Sequence, residues 1–147
     1  MPSTHTSLHY HIIFSTQNRE PCLAATWRGQ LHDYLGGTVR GLGAHSEGVG
    51  GVADHVHLLV SLKPVHCLSD FMRELKKHSS QWVSETFRMR FHWQEGYAAF
   101  TVSASAREVV RAYIAGQEDH HRKKSFREEL TEFLQKSGVK YDERYLD

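Results

Sequence analysis

The run Asp54-His55-Val56-His57-Leu58-Leu59-Val60-Ser61-Leu62 places two imidazoles two residues apart among apolar side chains. In a strand, residues i and i+2 share a face. Val56, Leu58, Val60 and Leu62 then take one face, and His55 and His57 take the other. Two rings projecting in parallel from a rigid strand can ligate one divalent ion, and such an ion can activate a phosphate group. The alternative is two polar side chains on a half-exposed strand. A second group is Tyr113 with Gln117 four residues on, which puts both on one side of a helix; His121 extends the row. Tyr113 also shares a stripe with Val109, Val110 and Ile114, where an aromatic ring is ordinarily core. The polar continuation through Gln117 and His121 points instead to a site.

The chemistry of these groups is coherent. A tyrosine oxygen can attack a phosphodiester and hold the cleaved end as a phosphotyrosine. A free phenol has a pKa near ~10 and needs help at neutral pH. An ion on His55 and His57 would give that help by polarising phosphate oxygens, with Gln117 as a third, oxygen ligand. Mixed nitrogen and oxygen ligation suits Mn²⁺, or Mg²⁺ with retained waters. Both imidazoles must be neutral to coordinate, so activity is expected to fall below pH about 6. His11, if it neighbours His57 across the sheet, would orient a ligand ring. Arg73, Lys76, Lys77 and Ser80 form one stripe of a helix and could grip DNA phosphates, or be a solvated face. Arg122, Lys123 and Lys124 are a second basic cluster. Trp93, Tyr97 and Phe100 could stack on unpaired bases, or belong to the core.

The elements that must hold these groups follow from periodicity. Leu8 to Ser15 alternates as a strand, with Leu8, Tyr10, Ile12 and Phe14 on one face and His9, His11 and Ile13 on the other. Ala25 to Leu42 has helical spacing, weakened by Gly36 and Gly37. Ser46 to Val52 is a Gly-rich strand that turns near Ala53 into the His-x-His strand. The spacing predicts a helix over Cys67 to Phe87 and a fourth strand over Tyr97 to Ser103. Ser105-x-x-Glu108 and Ser125-x-x-Glu128 fit capping boxes, which predicts helices from Ala106 to Lys123 and from Phe126 to Lys136, the latter stopped by Gly138. This order predicts an α+β fold: a ferredoxin-like βαββαβ sheet with two extra C-terminal helices. The first and third strands would be central. The first two helices would cover one face, and the helix from Ala106 would cover the face bearing the imidazoles.

The chain has 147 residues and suggests a single domain over 1–147. Its 18 Lys+Arg nearly balance 17 Asp+Glu, so composition alone does not announce a nucleic-acid partner. Cys22 and Cys67 form no disulfide framework and fit a reducing, cytoplasmic setting. No signal peptide and no membrane span are expected.

Taken in order, the motifs resemble one family: the HUH single-tyrosine transposases of the insertion-sequence 200/605 type, including those associated with repetitive extragenic palindromes. Asp54 to Leu59 looks like the His-hydrophobe-His motif, and Tyr113-Ile114-Ala115-Gly116-Gln117 looks like the Tyr-x-x-x-Gln nucleophile motif. Tyr10 to Thr16, Leu75 to Ser80, Trp93 to Tyr97 and Tyr141 to Tyr145 add to the likeness. The resemblance implies a cytoplasmic, homodimeric enzyme that cuts and rejoins single-stranded DNA beside hairpins through a 5′-phosphotyrosine. It implies Tyr113 as nucleophile, and His55, His57 and Gln117 as ligands of Mg²⁺ or Mn²⁺. The alternative from another class is a non-catalytic single-stranded nucleic-acid-binding module. A histidine-triad hydrolase would need a third His where Leu59 stands, and a structural zinc site has no evident fourth ligand.

Overall fold

The structure, a computed structural model, describes residues 3–146. Four strands form one antiparallel sheet: β1 (His9–Ser15), β2 (His45–Gly51), β3 (His55–Ser61) and β4 (Ala98–Val102), in the order β2-β3-β1-β4. This is the split arrangement expected from the sequence, with β1 and β3 central. Register decides which side chains meet. Ile13 pairs with His57, and Gly50 pairs with His57 from the other side.

The period-2 pattern sorts the two faces as expected. Ile12, Phe14, Val56, Leu58, Val60 and Leu62 are buried with Leu31, Leu35, Val39, Phe71, Met72, Leu75 and Val83. Those partners come from α1 (Arg28–Gly41) and α2 (Leu68–Phe87), which cover this face. Helix α1 starts at Arg28 rather than Ala25. Trp93 also belongs to this core, where its indole Nε1 donates to Ser79 Oγ at 2.9 Å. It is therefore not a platform for bases.

The opposite face carries three helices, where the sequence predicted the one from Ala106. The helix predicted from Ala106 to Lys123 is broken into α3 (Arg107–Ala115) and α4 (Gln117–His121). Gly116 lies at the joint with φ −94° and ψ 20°, and its N–H is shared between the carbonyls of Ala112 and Tyr113. A residue of low helix propensity in the bridge region ends one helix and re-aims the next. The Ser105 box does not form: α3 begins at Arg107 without a side-chain cap, and Ser105 Oγ instead lies 3.3 Å from Ser103 Oγ. At Ser125 the hydroxyl half of the box forms, and the Glu128 carboxylate accepts from that hydroxyl at 3.1 Å rather than from the Ser125 N–H. Ser125 Oγ accepts from Glu128 N–H at 3.2 Å and starts α5 (Phe126–Lys136). Gly138, at φ 67°, supplies the left-handed residue that ends α5.

One contact sets how closely α3 approaches the sheet. A Cβ on Gly50 would lie 2.3 Å from the carbonyl oxygen of Ile114. Helix α3 is also pinned to the bulge of β2 between Ser46 and Gly48. There the buried Glu47 accepts from Arg107 Nη1 at 2.9 Å and lies 3.0 Å from His9 Nδ1, and its backbone carbonyl accepts from Arg111 Nε at 2.9 Å. No helix among the described residues is long and apolar enough to cross a membrane.

Candidate metal and nucleophile site

His55 and His57 project from β3 into the layer between the sheet and α3, α4 and α5, and both are fully buried. The half-exposed reading of this strand is thereby excluded. Burying imidazoles is costly unless their nitrogens are partnered. Each far nitrogen has a partner: His55 Nδ1 lies 2.7 Å from Asp54 Oδ1, and His57 Nδ1 lies 2.7 Å from His11 Nε2. His11 reaches His57 because β1 and β3 are neighbours and both rings occupy the same face.

The near nitrogens converge. His55 Nε2 is 3.0 Å from His121 Nε2, and His57 Nε2 is 3.0 Å from Glu129 Oε1. Glu129 Oε1 also lies 3.3 Å from His121 Nε2 and 3.6 Å from His55 Nε2. The candidate donors of His55, His57, His121 and Glu129 all fall within 4.8 Å of one another. Glu129 was not anticipated. It stands in the apolar stripe of α5 with Phe126, Leu130 and Phe133, and a carboxylate in such a stripe is the signal that could have found it.

Tyr113 lies beside this cluster in the same chain. Its hydroxyl donates to Glu129 Oε2, while His120 Nε2 is 3.0 Å away. One carboxylate therefore touches the imidazole group with one oxygen and the phenol with the other. His120, also missed by sequence reasoning, lines a cavity of about 240 Å³ with His11, Tyr113, Phe133 and Lys136. This cavity is the opening to the phenol. Gln117 is buried at the start of α4. Its Oε1 lies 3.0 Å from His121 Nε2, and its Nε2 donates to the Tyr113 carbonyl at 3.4 Å.

Burial and charge set the protonation of the site. Burial, with repulsion from His57, lowers His11 to about 3. Burial also lowers His57 to about 4, against the pull of Glu129. Burial opposes charge on His55 too, but Asp54 and Glu129 outweigh it and raise its pKa. Burial disfavours the Glu129 carboxylate, yet hydrogen bonds from His121, His55 and His57 hold it far below the usual range. Burial and the adjacent Glu129 push Tyr113 well above an ordinary phenol. The phenol is therefore protonated at neutral pH and has proton acceptors already in place.

The candidate DNA stripe is on the other side of the molecule. Arg73, Lys76, Lys77 and Ser80 belong to α2, which packs on the face of the sheet opposite the imidazoles. Lys76 is half-buried and engaged: its Nζ donates to the carbonyls of Gln94 at 2.6 Å and Gly96 at 2.8 Å. Arg73 pairs with Asp70 at 3.0 Å, Lys77 is exposed, and Ser80 Oγ donates to the Lys77 carbonyl. Phe100 stacks on Phe133, and Tyr97 is exposed on the rim of a cavity of about 260 Å³.

Comparison with known proteins places the arrangement. The family described as "Transposase IS200 like" matches residues 4–117. The ISDra2 transposase TnpA of Deinococcus radiodurans is 28% identical over 119 residues, covering 76% of this chain and 85% of its own. The crystal structure of a candidate transposase from Deinococcus radiodurans R1 superposes with a TM-score of 0.65 at 26% identity, covering 78% of this chain and 93% of the other. A REP-associated tyrosine transposase bound to a REP hairpin shares the fold, with a TM-score of 0.55 at 16% identity over 78% of this chain and 70% of its own. The family match contains His55, His57, Tyr113 and Gln117 and stops before His120, His121 and Glu129. With well over half its length so matched, the chain belongs to the IS200-like transposase family.

Proposed function

We propose that this transposase cuts and rejoins single-stranded DNA beside hairpins, with Tyr113 as the nucleophile. The observation that carries the reading is the Tyr113 hydroxyl, held by the same carboxylate that touches the buried His57. In the proposed step, Tyr113 Oη forms a bond to phosphorus and the bond to the 3′ oxygen breaks. The phenol proton passes to His120, whose Nε2 lies 3.0 Å from the hydroxyl, and the departing 3′ oxygen takes up a proton from that ring or from water. The products are a 5′-phosphotyrosine and a free 3′-hydroxyl, and the reverse reaction rejoins a strand. The donor set fits a divalent ion, Mg²⁺ or Mn²⁺ in the simplest case, with His55 and His57 as ligands and Gln117 beside them. Such an ion would polarise the phosphate oxygens and stabilise charge in the displacement. The hairpin-bound relative supports hairpin DNA as the substrate. A homodimer completes the reading, and sedimentation velocity tests it.

The test mixes the protein with end-labelled single-stranded hairpin oligonucleotides and Mn²⁺ or Mg²⁺, then separates the products under denaturing conditions. A protein–DNA adduct is expected with the wild type and none with Tyr113→Phe. Binding without an adduct across varied hairpins would instead mark a non-catalytic binding module.

A further inference from the structure

The free donor atoms of the imidazole cluster converge on one point. His121 Nδ1 lies 2.8 Å from the Lys124 carbonyl, which can only accept, so that nitrogen carries the proton. His55 Nδ1 faces the Asp54 carboxylate and donates for the same reason. A neutral ring protonated at Nδ1 presents a bare lone pair at Nε2. Two such lone pairs, from His55 and His121, face each other at 3.0 Å, and the Glu129 carboxylate stands within 3.6 Å of both. Positive charge among them, a proton on His55 or a bound cation, holds them together. Four of the spacings among the donors, from 3.0 to 3.6 Å, also match a coordination shell. Donors about 2.0–2.2 Å from one ion, at tetrahedral to octahedral angles, lie roughly 3.0–3.6 Å apart. The partners on the far nitrogens, Asp54, His11 and the Lys124 carbonyl, fix ring orientation as partners of metal-bound histidines do.

We infer that the metal site of this chain is completed by His121 and Glu129, so that three imidazole Nε2 atoms and one carboxylate oxygen hold the ion. This rests on the proposed metal-assisted function and revises its ligand set. Gln117 becomes a positioning residue. Its amide lies between His121 Nε2 and the Tyr113 carbonyl, and it aims the His121 ring. A set of three nitrogens and one anionic oxygen favours Mn²⁺, Co²⁺ or Zn²⁺ over Mg²⁺, which prefers oxygen ligands and retained water. Two of the donors thus come from α4 and α5, beyond the segment that defines the family.

The test is Co²⁺ and Mn²⁺ binding to the full chain, read by calorimetry and by the visible d–d bands of Co²⁺. Wild type should bind one Co²⁺ with far weaker competition from Mg²⁺. His121→Ala and Glu129→Gln should each lower Co²⁺ affinity by more than about 100-fold and change the band pattern. Gln117→Ala should cost about 10- to 100-fold, the range for an orienting partner, and leave the bands in place. Far-UV circular dichroism confirms that each variant is folded, and His121→Gln serves if the alanine variant is not. Unchanged bands in His121→Ala and Glu129→Gln, or bands altered by Gln117→Ala, would overturn the assignment. So would a wild type that binds no Co²⁺ in the micromolar range. A Tyr113 adduct that needs His55 and His57 but not His121 would sink this ligand set while leaving the proposed reaction standing.

Discussion

Gly50 and Ile114 meet so closely that a methyl group at position 50 would sit 2.3 Å from the Ile114 carbonyl oxygen. The position next to Ile114 is Tyr113, and Gly50 is the register partner of His57. A small residue on β2 therefore governs the distance between the phenol and the imidazole group. Gly50→Ala should push α3 outward and cost about 1–3 kcal/mol, the usual range for overpacking. Thermal melting should show the loss, and adduct formation should fall further than stability alone explains. A variant with unchanged melting temperature and full activity would show that α3 is free to shift.

Acid should destabilise the metal-free protein. His57 and His11 have pKa values lowered to about 4 and about 3 in the fold, whereas an unfolded histidine titrates near ~6.5. Between these limits the unfolded chain binds more protons, so stability present above pH about 6.5 is lost as pH falls. His55 acts with the opposite sign: its raised pKa gives stability that is lost as pH rises through the folded value. Two lowered histidines outweigh one raised. Glu129 and Asp54, both held ionised, add losses of the first sign at lower pH. Melting temperature measured in chelator should drop from pH 7 to pH 4, and His11→Asn should flatten the curve. A flat wild-type profile would mean that the rings are already charged.

Lys76 and its neighbours should behave differently from one another. Lys76→Met removes two hydrogen bonds from a charged donor to the Gln94 and Gly96 carbonyls, at a cost of about 1.5–3 kcal/mol each at most. Its main effect should be on stability. Arg73→Ala and Lys77→Ala should leave stability nearly unchanged. If the stripe does grip phosphates, each should reduce the slope of log affinity against log salt by about one unit. Unchanged slopes for both would leave the stripe as a solvated face.

Ser125→Ala removes the side-chain cap at the start of α5, and should cost about 1 kcal/mol of stability. Because Glu129 lies in the first turn of α5, the same change should weaken metal binding. Equal metal affinity in the variant and the wild type would show that the Glu129 position is set by packing of Phe126 and Leu134 instead.

The parts of this structure that obey a single period were legible in the sequence. Strand β3 separates Val56, Leu58 and Val60 from His55 and His57 by alternation alone, and both faces follow from that. The broken helix was not legible, because the apolar stripe through Val110 and Ile114 continues into Gln117 and His121 at unbroken helical spacing. Only the backbone at Gly116 departs from it. Glu129 was hidden for a related reason. A carboxylate in an apolar stripe is a signal, but it also fits the acidic preference of a first turn, and spacing does not name partners more than seventy positions away. Lys76 reads as part of a charged stripe, since a long side chain that bends back to cap loop carbonyls leaves no trace in spacing.

The turn at Gly116 also divides the mechanics of the site. On one side the tyrosine rides on a short rod tethered by Arg107 and Arg111 to Glu47. On the other, His121 is held by the Lys124 carbonyl, and Gln117 links its ring back to the Tyr113 carbonyl. Under the proposed reaction, tension from a strand bonded to the phenolic oxygen would be borne first by two guanidinium groups at the rim of the sheet.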